Sequence, residues 1–166
     1  MIKIDYEKAK PAIIPEGKYE VVIKIADKDF TKSGTEYIGI VLVVRNDVDQ
    51  PYKNKRIFYQ LWKRKEPSDA DKSCENYSCT EINALSKAAG LVNGQSYDCL
   101  EDWLIALERK TLKVTIKHEE YNGNTNARVR SVEVSSSPFC NHMWEDGVAN
   151  PNIGFEDVSA DEELPF

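Results

Sequence analysis

The sequence predicts an all-β fold with a helical insert, on three observations. Three segments within the first 65 residues alternate apolar and polar positions, the mark of half-buried strands. Two stretches of helical periodicity follow. Two further alternating segments joined by Asn122-Gly123 then end near residue 134.

The elements run in order. Residues 1–16 have weak periodicity and are broken by Pro11 and Pro15, so they read as an arm. In GKYEVVIKIA, Tyr19, Val21, Ile23 and Ile25 alternate with Lys18, Glu20 and Lys24, which gives a strand. DKDFTKSGTE is a loop carrying Phe30 and Lys32, with Gly34 as its turn residue. YIGIVLVVR is a second strand rich in β-branched residues, and Gly39 within it predicts a bulge or bend. After the polar turn NDVDQPYKN, KRIFYQLWKRK is a third strand.

Period two then gives way to 3.6. In SCTEINALSKAAG, Ser78 and Glu81 form a capping box, Ile82, Leu85 and Ala89 make one face, and Gly90 stops the helix. In DCLEDWLIALERK, Asp98 and Glu101 are the expected cap. Leu100, Trp103, Leu104 and Leu107 are its apolar stripe, and Arg109 and Lys110 suit the C-terminal dipole. TLKVTIKH is the fourth strand, Asn122-Gly123 a hairpin turn, and ARVRSVEV the fifth strand. Three strands, one or two helices, then a hairpin is the element order of an OB-fold, a five-stranded barrel over residues 17–134.

Of the 166 residues, 41% are hydrophobic and 30% charged, enough apolar content for a packed core. No run approaches the ~20 apolar residues of a membrane helix, and MIKIDYEKAKP lacks a signal-peptide core. The expectation is a cytoplasmic protein with reduced thiols and no membrane partner. Its net charge of −6 is divided unevenly: all 22 Lys and Arg and 21 of the 28 acids precede residue 135, so the body is near +1. Residues 135–166 hold the remaining 7 acids and no Lys or Arg, which makes the tail −7. A nearly neutral body with basic clusters and a purely acidic tail suggest a body that meets an anion and a tail that avoids it.

The third strand carries the candidate site. Ile57, Tyr59 and Leu61 share one face; Arg56, Phe58, Gln60, Trp62 and Arg64 share the other. A solvated face would not ordinarily pair Phe with Trp, nor a core face two Arg. Single-stranded nucleic acid wants both, rings on which bases stack and cations along the phosphates. Lys53, Lys55, Lys63 and Lys65 add positive potential, Tyr37, Val41, Val43 and Arg45 would continue the platform on the second strand, and Lys113 would hold a further phosphate. Phe30, Lys32 and Tyr121 lie in loops that would reach over the ligand. Stacking tolerates any base, so little base readout is expected. The competing structural reading buries both faces under the helices, with the charges snorkelling to water.

The tail, SSSPFCNHMWEDGVANPNIGFEDVSADEELPF, is rich in Ser, Asn, Pro and acid and reads as a flexible linker over 135–166 ending in a docking peptide. Phe166 would fill an apolar pocket on a partner protein. Asp161, Glu162, Glu163 and the terminal carboxylate would meet Lys or Arg around it, and Leu164 and Pro165 complete the motif. A plain solubilising terminus is the simpler alternative.

DEELPF resembles the acidic, Pro-Phe-ending tip of bacterial single-stranded-DNA-binding proteins, with Leu164 and a short acidic run where the bacterial tip has Ile and a longer Asp run. GKYEVVIKIADKDFTKSGTEYIGIVLVVRNDVDQPYKNKRIFYQLW and EDWLIALERKTLKVTIKH resemble a family of phage and prophage proteins long catalogued as of unknown function. That family is regarded as OB-fold single-stranded-DNA-binding proteins encoded near phage recombination and replication genes. The resemblance implies a protein of a bacterial host cell's cytoplasm that coats single-stranded DNA and recruits replication or recombination proteins by its tip. A dimer is among the assemblies compatible with it.

Other chemistry is weakly signalled. Cys74, Cys79, Cys140 and His142 lack the tight paired spacing of structural zinc, and unligated thiols are the expectation. Thr31-Lys32-Ser33-Gly34 lacks the upstream glycine of a phosphate loop. Asp47 and Asp49 flank a turn, and His118 has no evident nucleophile beside it. No cofactor and no enzymatic activity are expected. A protein-interaction adaptor, or behind it a metal-dependent nuclease, is the alternative.

Overall fold

The computed structural model describes residues 1–9 and 13–144. It is mostly β: strands β1 (Gly17–Phe30), β2 (Glu36–Val44), β3 (Arg56–Trp62), β4 (Thr111–Tyr121) and β5 (Asn124–Glu133), with helices α1 (Asp69–Lys72), α2 (Cys79–Ala88) and α3 (Leu100–Leu107) between β3 and β4. A 3-10 turn, Tyr6–Ala9, lies in the arm.

The strands form one antiparallel sheet in the order β3-β2-β1-β4-β5. The edge strands β3 and β5 pack against each other, but no hydrogen-bonded ladder joins them among the described residues. The predicted closed barrel is therefore corrected to an open sheet. The chain leaving β3 pairs elsewhere: Lys63 bridges Tyr77, and the Arg64 amide donates to the Asn76 carbonyl at 2.8 Å.

One face of the sheet is the main core. Val21, Ile23, Ile38, Ile40, Leu42, Ile57, Leu61, Leu112, Val114 and Ile116 pack there with Leu85 of α2 and Trp103, Leu104 and Leu107 of α3. The alternation of β1 predicts this face through Ile23 and fails at Ile25. The register slips between Ile23 and Ile25, so Lys24 is an extra residue and Ile25 turns outward, leaving Ala26 inside. Gly39, expected at a bulge, instead pairs in continuous register with Asp27 and Gln60.

Ser78 caps α2 as predicted, accepting from the Glu81 amide at 3.3 Å. The Asp98 cap of α3 is corrected. Cys99 is the N-cap residue and makes no side-chain cap bond; the Glu75 carboxylate takes the Leu100 amide at 2.8 Å. Glu75 also pairs with Lys28 at 3.5 Å, and Lys28 with Glu101 at 2.9 Å, which ties the start of α3 to β1.

Residues 135–144 return across the other face of the sheet, so the predicted flexible tail does not begin at 135. Trp144 packs with Val22 and Val43 in a second small core. Asn46 clamps this strap: its amide donates to His142 Nδ1 at 3.1 Å, its side-chain nitrogen donates to the Met143 carbonyl at 2.5 Å, and its side-chain oxygen accepts from the Met143 amide at 2.9 Å. The docking peptide of residues 161–166 lies outside the described residues. No helix among the described residues is long and apolar enough to cross a membrane.

Candidate nucleic-acid interface

The outward face of β3 is open. Arg56, Phe58, Gln60 and Trp62 are exposed while Ile57 and Leu61 are buried, the alternation expected from the sequence. Phe58 is 62% and Trp62 44% exposed, so the helices do not seal them. Cross-strand pairing sets Tyr37 opposite Trp62, Gly39 opposite Gln60 and Val41 opposite Phe58. The Tyr37 and Trp62 rings lie 4.7 Å apart, tilted by 30°. Tyr37 is braced by its hydroxyl, which donates to Asp29 Oδ2 at 3.3 Å, and its phenol is pushed upward in pKa by burial and by that carboxylate.

The bulge at Lys24 extends this face onto β1. After it, Ile25 pairs with Val41, Asp27 with Gly39 and Asp29 with Tyr37. The three strands enclose a groove of about 490 Å³, walled by Phe58, Val41 and Ile25 at one end and Tyr37 at the other, with Gly39 in its floor. Reading β1 as regular alternation missed the contribution of Ile25, Asp27 and Asp29. Phe30 ends β1 on the Tyr37 side and is exposed, and Lys32 is exposed in the turn that follows. Tyr121 is exposed at the β4–β5 turn, beyond the Gly17 end of β1 and so at the opposite end of that strand from Tyr37.

Cations group at both ends of β3. Arg56 is exposed, and Lys55 precedes it half-buried. At the far end Lys63 pairs with Glu36 at 3.1 Å, and Arg64 lies 3.4 Å from Asp71 while keeping about half of its side chain in solvent. Glu36 accepts from the Tyr77 hydroxyl as well; burial raises its pKa, and these two bonds outweigh burial and hold it low.

Two expected phosphate ligands are placed elsewhere. Arg45 is fully buried, at 0% exposure. Its guanidinium donates to Asp47 at 2.9 and 2.6 Å, to Ser135 Oγ at 3.2 Å, and to the carbonyls of Ser137 at 2.5 Å and Phe139 at 2.8 Å, with Glu20 4.0 Å away. It is the anchor of the strap. Burial disfavours its charge, but the Asp47 carboxylate more than compensates and its pKa rises. Asp47 is held below its ordinary value because the Arg45 bond and the Asn141 amide outweigh burial. Lys113 sits 3.8 Å from Glu20 and bonds Ser136, also under the strap. The sequence placed Arg45 correctly on the outward face; a segment 90 residues later covers that end of it.

Cys74 and Cys79 flank the start of α2, where burial and the neighbouring Cys79 raise the Cys74 thiol, whereas Cys140 and His142 lie in the strap. Among the described residues no three His, Cys, Asp or Glu side chains gather as a metal site.

The chain matches the model of a family described as a protein of unknown function, DUF669, over residues 4–141, a span that takes in the sheet, the helices and most of the strap. No curated protein matches it. An outward three-strand groove lined by rings, on a sheet clasped by its own C-terminal segment, is thus the candidate site of a chain that belongs to the DUF669 family.

Proposed function

We propose that this protein binds single-stranded DNA without strong sequence dependence, as a phage-type replication or recombination protein, and recruits partner proteins through residues 161–166. The observation that carries the reading is the exposed row Phe58, Gln60 and Trp62, with Tyr37 against Trp62 and Arg56 at the row's start. Large rings left in water beside a guanidinium lose the gain of burial, about 1.5–3 kcal/mol for a Phe-sized side chain. A ligand that stacks on them recovers it. Strand order β3-β2-β1-β4-β5 with its two edges packed together supports reading the open sheet as OB-like, and on that reading the ring row would lie on the outer wall. The exposed acids Asp27 and Asp29 repel phosphate from the β1 side, so the backbone would run along β3 past Arg56 and Arg64.

Tryptophan fluorescence tests this directly. Trp103 and Trp144 are buried at 5% and 7% exposure, so quenching by oligo-dT reports Trp62. Saturable quenching is expected, with an affinity that falls with salt at a log–log slope of about −0.7 per phosphate neutralised. No quenching would favour an adaptor that binds protein instead. Deleting residues 162–166 is expected to preserve or tighten oligo-dT binding while abolishing partner pull-down from a host extract. Loss of both activities together would show that the peptide is part of the fold.

A further inference from the structure

We propose that the groove floor at Gly39 is a slot for one nucleobase and that Asp27 makes the slot selective for guanine. The inference rests on the single-strand reading above and replaces indifference to base with a preference at one position.

The slot follows from strand geometry. Side chains two residues apart on one strand face stand about 6.6–6.8 Å apart, so two rows with an empty row between them stand about 13 Å apart. A flat base in such a gap stacks at about 3.5 Å on one wall only. Here one row is Tyr37 and Trp62, and the other is Val41 and Phe58, with Ile25 beyond. Between them lies the row Asp27, Gly39 and Gln60. Gly39 has no side chain to fill the space. A Cβ built there would meet only the edge of the Tyr37 ring, at 3.5 Å, so that ring is the wall on which a base above Gly39 would stack. Every other outward position of β2 from Tyr37 to Val43 carries a bulky side chain.

The polar groups of the middle row decide what fits. Asp27 is exposed at the slot's β1 side, with Oδ1 oriented by the Lys28 amide at 3.0 Å. An ionised carboxylate only accepts, and it accepts best from two parallel donors. Guanine offers them, as N1–H beside the 2-amino group. Adenine and cytosine each set a ring-nitrogen lone pair beside their single amino group, and thymine flanks its one N–H with two carbonyls; both patterns turn lone pairs toward the carboxylate. Gln60 stands exposed on the opposite side of the slot and can donate its amide to N7, the acceptor on the far edge of guanine.

The test uses the full chain and short oligo-dT carrying one central substitution, which avoids guanine quadruplexes. The wild type is expected to bind the dG oligonucleotide about five- to tenfold more tightly than its dT, dA and dC counterparts. Hypoxanthine, which lacks the 2-amino group, is expected to fall between. Asp27→Asn is expected to level dG with the others, read as the ratio of dG to dT affinity within the variant. Equal binding of all four bases by wild type would overturn the proposal, as would a dG preference that survives Asp27→Asn or a hypoxanthine affinity equal to that of guanine. Binding to none of the oligonucleotides would instead remove the single-strand reading on which the slot depends.

Discussion

Replacing Trp62 with alanine is expected to weaken oligo-dT binding by about 1–3 kcal/mol, roughly 5- to 150-fold, without loss of fold. The side chain is 44% exposed, and its principal ring contact is Tyr37, itself on the outward face, so truncation opens no cavity in the core. Phe58→Ala, four residues away and still more exposed, should act in the same direction. Phe58 and Trp62 stand about 13 Å apart on either side of the Gly39 row, too far for one base to stack on both, so the losses in the double variant should add. Titration by fluorescence anisotropy of a labelled oligonucleotide checks this, since the quenching signal disappears with Trp62. Affinity unchanged in both single variants would remove the row from the interface.

Arg45→Ala is expected to have a larger effect on a different property. The guanidinium holds Asp47, Glu20, Ser135 and two strap carbonyls from a fully buried position. Its removal leaves Asp47 without its cation, Glu20 with Lys113 alone, and several acceptors without their donor, at a cost of about 3–5 kcal/mol. Urea unfolding at neutral pH should show that loss. The same variant separates the two roles open to this residue. A phosphate ligand, as the sequence suggests, would leave stability intact and reduce the salt slope of DNA binding by about one contact. The buried anchor does the reverse. Asp47 supplies the pH dependence. Its folded pKa lies below the ordinary 3.8, so its contribution to stability is present above that value and is lost as pH falls through the folded pKa. The stability gap between wild type and Asp47→Asn should therefore narrow in acid. A gap constant from neutral pH down to about pH 3 would mean that the Arg45–Asp47 bond does not stabilise the fold.

Several features are legible in the residues because they depend on local spacing. Alternation in KRIFYQLW predicts which side chains of β3 face outward, and the structure agrees at each of Ile57, Phe58, Gln60, Leu61 and Trp62. The Ser78 cap and the Asn122-Gly123 turn need only a few neighbouring residues, and both form where predicted. The inward Ile25 and the bulge expected at Gly39 depart from the structure for one reason. A strand interrupted by an extra residue has the same composition as a regular one, and only the partner strand's register shows where the slip falls.

Local periodicity in the chain thus determined the strands, the insert between the third and fourth of them, and the sharing of one face of β3 by rings and cations. Tertiary structure alone decided that the sheet stays open, that the slip at Lys24 carries Ile25, Asp27 and Asp29 onto the aromatic face, and that residues 135–144 close over Arg45 and Lys113 while leaving Phe58 and Trp62 uncovered. The physical reason is the range of the interactions. Backbone alternation and capping act over two to four residues, whereas a buried guanidinium takes its partners from wherever the folded chain returns, here more than 90 positions away at Phe139.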